Sequence, residues 1–168
     1  IFNFWYLDLN IMRIGIGYDI HRTAKGRKLM LGGVLIPSDM GSLGHSDADV
    51  LIHAICDAIL GALGKPDIGE YFPDTDPKYK GISSAILLKK VGRIARKNEY
   101  AVNNLDSTII LEKPRLSPFK NRIRETIAEI LNISPAVVNV KAKTNEGLGD
   151  IGKNKAIAAY AVVSLKKL

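Results

Sequence analysis

Between Ser46 and Leu63 the apolar residues return at Val50, Leu51, Ala54, Ile55, Ala58, Ile59 and Ala62. This spacing is that of a helix with one wide apolar stripe, and such a helix has to be buried against another layer of structure. Ser46 and Asp47 stand where they can cap its first amides, and Gly64 with Pro66 ends it. The other layer is legible on both sides. Met12 to Tyr18 alternates in the manner of a strand and runs into Asp19-Ile20-His21, read as the strand's polar end. Leu29–Leu31 and Val34–Ile36 flank Gly32-Gly33, a hairpin signal, and a loop from Pro37 to Gly44 follows.

Downstream, Asp67 to Gly81 is rich in Pro, Gly and Asp and reads as a long loop, functional or mobile. Ser83-Ser84 cap a second helix to about Asn98, Tyr100 to Leu111 alternates as a strand, and Pro118 opens a third helix that Asn132 closes. Val137 to Lys143 is a further strand, Gly147 to Gly152 a glycine-rich turn, and Ala156 to Leu165 a last strand. The expected fold is α+β (α/β layered): a mixed β-sheet with three main helices packed on it, in a single domain spanning 12–168. Residues 1–11 differ from the rest, being aromatic-rich at Phe2, Phe4, Trp5 and Tyr6 and lacking a basic start. They read as an N-terminal extension outside the fold and a poor signal peptide.

Composition narrows the function classes. The 168 residues carry a net charge of +7, but aromatics are 7% and the Lys and Arg residues are dispersed. A solvated basic surface explains that charge better than a nucleic-acid-binding face. No apolar run approaches the length needed to cross a bilayer, so no membrane partner is expected. The single cysteine, Cys56, excludes an intrachain disulfide and a Cys-based zinc cage. It falls within the helical pattern as a small core residue, and a cytoplasmic setting is the default.

The chemistry concentrates at four places. Asp19 and His21, two apart on a strand, point to one face and can share a metal, although a strand end with polar tips looks the same. In His45-Ser46-Asp47-Ala48-Asp49 and the helix beyond, Asp49, His53 and Asp57 recur every fourth residue and stack on one flank. His53 can then bind a metal through one nitrogen while a neighbouring carboxylate orients the other; a polar helix face with a solvated histidine is the alternative. Together Asp19, His21 and His53 make one carboxylate and two imidazoles, a set that leaves a coordination position open. All three histidines of the chain fall in these two motifs. The loop Asp67-Ile68-Gly69-Glu70-Tyr71-Phe72-Pro73-Asp74-Thr75-Asp76 offers carboxylates and free amides to the hydroxyls of a ligand, or is a surface Asp turn. In Lys141-Ala142-Lys143-Thr144-Asn145-Glu146-Gly147, Lys143 and Thr144 suit a phosphate, and Glu146 a hard cation such as Mg²⁺ or Mn²⁺.

At these four motifs, in this order from Met12 to the C-terminus, the chain resembles the cyclodiphosphate synthase family of the methylerythritol phosphate route to isoprenoids. The resemblance implies Zn²⁺ on Asp19, His21 and His53, and a second divalent cation, Mg²⁺ or Mn²⁺, near Glu146 between the phosphates. It implies that His45 and Thr144 contact the reacting phosphates and stabilise the transition state. The substrate, 4-diphosphocytidyl-2-C-methyl-D-erythritol 2-phosphate, would lie along Asp19-Ile20-His21, His45-Ser46, Asp57, Asp67-Ile68-Gly69 and Phe72-Pro73-Asp74-Thr75-Asp76. It would also meet Lys143-Thr144-Asn145-Glu146 and Lys153. Leu111-Glu112-Lys113-Pro114-Arg115-Leu116-Ser117 occupy the place of the cytidine pocket, with Arg115 available to the phosphates.

The implied product is 2-C-methyl-D-erythritol 2,4-cyclodiphosphate, with CMP expelled as the 2-phosphate attacks the β-phosphorus. Family resemblance further implies a homotrimer with active sites between subunits, in a bacterial cytoplasm or a plastid. The chain departs from the family's habit at Tyr71 (commonly His), Lys143 and Asn145 (commonly Thr), and along Asp150-Ile151-Gly152-Lys153. None of these touches the three expected zinc ligands. The competing reading is another metal-dependent phosphoesterase that uses the same Asp/His/His set to activate water.

Overall fold

Gly15, Gly17, Asp19 and His21 share one face of a long first strand, and the glycines let a helix lie directly on it. A Cβ on Gly17 would stand 1.9 Å from the Ala54 carbonyl oxygen, and one on Gly15 would stand 2.0 Å from that of Ala58. The computed structural model describes residues 12–73 and 75–168. Asp74 and the expected extension 1–11 lie outside them.

The strand β1 (Arg13–Lys25) continues past the Asp19-Ile20-His21 motif instead of ending there. The reason is pairing: Thr23, Ala24 and Lys25 meet a short strand β4 (Met40–Ser42) inside the stretch expected as a loop. Between them Leu29–Leu31 (β2) and Val34–Ile36 (β3) form the expected hairpin. Its two turn residues, Gly32 and Gly33, have φ of 61° and 79°, the paired positive values of a type I′ turn.

The first helix, α1 (Val50–Ala62), is buried nearly all round. Its cap is Asp49, which accepts from the Ile52 N–H, and not Ser46 or Asp47 as expected. Short α2 (Ile68–Tyr71) and a 3₁₀ turn at Pro77–Tyr79 occupy the expected loop. The helix α3 (Ser84–Lys97) begins after Ser83, whose side chain makes no capping bond. It is followed by β5 (Tyr100–Ile110) and α4 (Lys120–Leu131), which starts two residues beyond Pro118 and closes on Asn132 in the left-handed conformation. The strand β6 (Val138–Lys143), short α5 (Gly149–Gly152) and β7 (Ala156–Lys167) complete the chain.

The main sheet has the order β4-β1-β7-β5-β6, with β5 and β6 parallel and the other pairs antiparallel. The mixed sheet therefore carries the three long helices expected, plus two of four residues each. One sheet face packs into a core with Leu51, Ile55, Ile59, Leu88, Leu105, Ile109, Ile123 and Ile127 at its centre. Among the described residues most of the opposite face is uncovered: Ile14, Ile16, Tyr18 and Ile20 on β1, with Tyr160 and Val162 paired beside them on β7, are all more than 40% exposed. No described helix is long and apolar enough to cross a membrane.

Candidate metal centre and substrate cleft

Because α1 rests on the glycine face of β1, His53 is brought against Asp19 and His21. Asp19 Oδ2 lies 3.0 Å from His21 Nε2 and 2.9 Å from His53 Nδ1, and the two nitrogens are 3.2 Å apart. A tetrahedral ion with bonds of about 2.0–2.1 Å has ligand atoms about 3.3 Å apart, so this triangle matches one face of such a site. The donor set, two imidazoles and a carboxylate, suits a divalent ion of zinc's type. Burial pushes the Asp19 carboxyl up, yet its hydrogen bonds with both histidines override this and hold it well below the usual carboxylate range. Burial opposes charge on His53 too, but the Asp19 hydrogen bond and the field of Asp19, Asp49 and Asp47 raise its pKa. The pole of the triangle is thus strongly favourable to positive charge.

The other side of His53 differs from expectation. Asp49 does not share an open flank with it: its carboxylate is fully buried and accepts from the amides of Gly32 (2.9 Å), Gly33 (2.7 Å) and Ile52 (3.0 Å), locking the hairpin to α1. Among the described residues no carboxylate touches His53 Nε2. Its neighbours are the hydroxyls of Ser84 at 3.0 Å and Ser46 at 3.2 Å. Asp57 is spent elsewhere, accepting from the Ile68 N–H at 2.9 Å and so pinning the start of α2; burial keeps its carboxyl above the ordinary value.

A cleft of about 380 Å³ opens beside the triangle, lined by His21, Gly44, His45, Ser46, His53, Ile68 and Gly69, with Phe72, Tyr79, Ile82 and Leu87 as its apolar wall. His45 Nε2 is shielded from solvent and has no hydrogen-bond partner among the described residues. Asp67 caps α2 through the Glu70 N–H, and Phe72 stacks edge-on against Tyr79, with centroids 5.4 Å apart. The loop is tied back to the histidine motif by Gly81 N–H to His45 O and Asp47 N–H to Ile82 O. Thr75 and Asp76 lie further along, where Asp76 caps the 3₁₀ turn and pairs with Lys78. Tyr79, Ile82 and Leu87 were not among the expected site residues, since an apolar residue in or just after a polar loop, or on a helix's apolar stripe, announces core and not cleft.

Eight of the remaining expected residues line a second cavity, of about 280 Å³: Leu111, Glu112, Pro114, Arg115, Leu116, Ser117, Lys143 and Thr144; Lys113, Asn145 and Glu146 do not. Leu111 and Leu116 anchor this loop in the core, Lys113, Arg115 and Ser117 stand in solvent, and the Lys113–Pro114 peptide is cis. Glu112 Oε1 accepts from the amides of Asn145 (2.7 Å) and Gly147 (3.2 Å), which joins the two loops. Thr144 donates to Glu146 at 2.6 Å. Lys153 is exposed at the end of α5, outside both cavities. The two cavities share no lining residue, so the expected site residues stand in two separate groups.

Comparison with known proteins supplies a context for this arrangement. The family model described as "YgbB family" matches residues 12–166. The chain is 57% identical over 157 residues to the 2-C-methyl-D-erythritol 2,4-cyclodiphosphate synthase of Syntrophotalea carbinolica, covering 94% of this chain and 96% of that protein. It is 49% identical over 155 residues to the chloroplastic synthase of Arabidopsis thaliana, covering 92% and 67%. Among solved structures, it superposes with a TM-score of 0.82 at 40% identity on the Plasmodium falciparum IspF CDP complex, covering 94% of this chain and 97% of that one.

Proposed function

The chain belongs to the YgbB family, that of 2-C-methyl-D-erythritol 2,4-cyclodiphosphate synthase, and from that premise we propose how its two half-sites perform the cyclisation. The activity is that of a cyclising lyase of isoprenoid precursor synthesis. The observation that carries the reading is the triangle of Asp19 Oδ2, His21 Nε2 and His53 Nδ1, which would hold Zn²⁺. Glu146 would take a second divalent cation, Mg²⁺ or Mn²⁺. When bound, the two cations supply charge neutralisation to a substrate with three phosphoryl groups and polarise its phosphorus–oxygen bonds.

The chain's own groups do the positioning. Cytidine lies against the loop 111–117, where Leu111 and Leu116 hold the backbone and Arg115 reaches the diphosphate. The methylerythritol hydroxyls meet Asp67, the Ile68-Gly69 backbone and Asp74. His45 Nε2, which has no partner among the described residues, hydrogen-bonds a phosphoryl oxygen of the substrate. Thr144 exchanges Glu146 for another phosphoryl oxygen. Held this way, the 2-phosphate oxygen forms a bond to the β-phosphorus as the bond from that phosphorus to the CMP oxygen breaks, and CMP leaves. No protein nucleophile is consumed, and alignment supplies the rate.

Separated half-sites support a homotrimer in which the 380 Å³ cleft of one subunit faces the nucleotide loop of the next. The bare apolar sheet face, Ile14, Ile16, Tyr18, Ile20, Tyr160 and Val162, supports the same assembly, because a face of that kind is ordinarily covered. A cytoplasmic or plastid setting fits the bacterial and chloroplastic relatives. The test is incubation with 4-diphosphocytidyl-2-C-methyl-D-erythritol 2-phosphate: CMP and the cyclic diphosphate should appear together. A linear hydrolysis product in place of the cyclic one would reassign the chain as a phosphoesterase.

A further inference from the structure

Behind the metal triangle lies a chain of hydrogen bonds that runs in one direction. Asp47 Oδ2 accepts from the backbone N–H of Ser84 at 3.1 Å, and Asp47 Oδ1 lies 2.5 Å from the Ser84 hydroxyl. An ionised carboxylate can only accept, so the hydroxyl proton of Ser84 points at Asp47. What Ser84 Oγ presents to His53 Nε2, 3.0 Å away, is then a lone pair. Nε2 must carry a proton to meet it; Nδ1, whose own proton faces Asp19 Oδ2 at 2.9 Å, is then the nitrogen that can release its proton to an arriving cation. Ser84 is fully buried at the start of α3, with no water access that would let its hydroxyl turn freely. Ser46 Oγ, 3.2 Å from the same nitrogen, accepts from the Ala48 N–H at 3.1 Å and adds a second oxygen to that side.

We infer that Asp47 and Ser84 are positioning residues: they hold a proton on His53 Nε2, so that Nδ1 is the nitrogen that exchanges its proton for the cation. The inference rests on the metal-centre reading above. It makes a prediction that a structural role alone does not. In Asp47→Asn the backbone N–H of Ser84 still needs an acceptor, so the amide oxygen stays on it and the NH₂ group turns to the Ser84 hydroxyl. The hydroxyl then donates to His53 Nε2, the proton moves to Nδ1, and the ring points an N–H at the metal position.

The probe is zinc ion alone, titrated in competition with a chromophoric chelator into the wild-type protein and the Ser84→Ala, Asp47→Asn and Ser84→Thr variants. Loss of a group that orients a metal-bound histidine costs about 10–100-fold in affinity. Ser84→Ala should fall in that range, Asp47→Asn should lose at least as much, and Ser84→Thr, which keeps the hydroxyl, should bind as wild type. Unchanged zinc affinity in both Ser84→Ala and Asp47→Asn overturns the inference. Should either variant fail to fold, the wild type decides. Imidazole nitrogen chemical shifts of the zinc-loaded wild type must show His53 with its proton on Nε2 and none on Nδ1, and a bare Nε2 overturns the inference. A wild type that binds no zinc sinks the metal centre itself, and this inference with it.

Discussion

A single carboxylate, Asp49, holds three backbone amides from two elements at no solvent exposure. Asn in its place turns one acceptor oxygen into an NH₂ group facing a donor, and a buried polar group without a partner costs about 1–3 kcal/mol. Asp49→Asn should therefore lower the unfolding free energy by that amount, seen as a lower urea midpoint at an unchanged denaturant slope. An unshifted midpoint would mean that the hairpin does not depend on this grip. Cys56 is the opposite kind of residue, fully buried, with burial pushing its thiol well above the ordinary value. The thiolate is the reactive form, so Cys56 should resist thiol-specific reagents in the native protein and react fully once it is unfolded. Rapid native labelling would refute that placement.

At the scale of elements, the contact between β1 and α1 positions the metal centre, and it is made by backbone. A methyl group on Gly17 would meet the Ala54 carbonyl at 1.9 Å, where no flexible side chain can yield. Overpacking of this kind costs about 1–3 kcal/mol and sometimes more. Gly17→Ala should thus lower the thermal midpoint and weaken zinc binding together, because the helix carrying His53 must lift from the strand carrying Asp19 and His21. Stability lost without any change in zinc affinity would show that the contact does not set the triangle.

The same contact explains what could be read from the amino acids. Asp19 and His21 were legible as a pair because strand period places them on one face, and α1 was legible from its stripe. Their meeting with His53 was not a local property, and it came from the family resemblance and the joint occurrence of the histidines. The strand β4 was invisible because Met40-Gly41-Ser42 is too short to alternate, and it exists through its pairing with Thr23 to Lys25. Ser84 looked like an N-cap, yet its hydroxyl serves a histidine 31 residues away, which no window of sequence reveals. Asp49 looked like part of a polar flank for a similar reason: only the hairpin folded onto α1 explains a buried carboxylate.

For the whole molecule the decisive quantity is where an active site ends. The cleft beside Asp19, His21 and His53 and the cavity at the 111–117 loop share no lining residue among the described residues, and the exposed face of β1 and β7 is the surface through which the proposed trimer would associate. Ile16, 69% exposed at the middle of that face, is the residue to charge. Ile16→Glu should sediment as a monomer with an unchanged circular dichroism spectrum and no cyclisation activity, and an active monomer would refute the shared site. A sharper consequence follows from mixing defects. His53→Ala removes only the metal half of a site, and Thr144→Ala only the nucleotide half. Either variant alone should be inactive. Co-expressed in equal amounts, they form trimers in which a site is intact only when a Thr144→Ala subunit supplies the metal half and its neighbour, a His53→Ala subunit, supplies the nucleotide half. Independent choice at two positions gives about a quarter of wild-type activity per site in a closed ring of head-to-tail contacts. If both halves came from the same chain, no combination of the two variants would restore turnover, and the mixture would stay as inactive as its components.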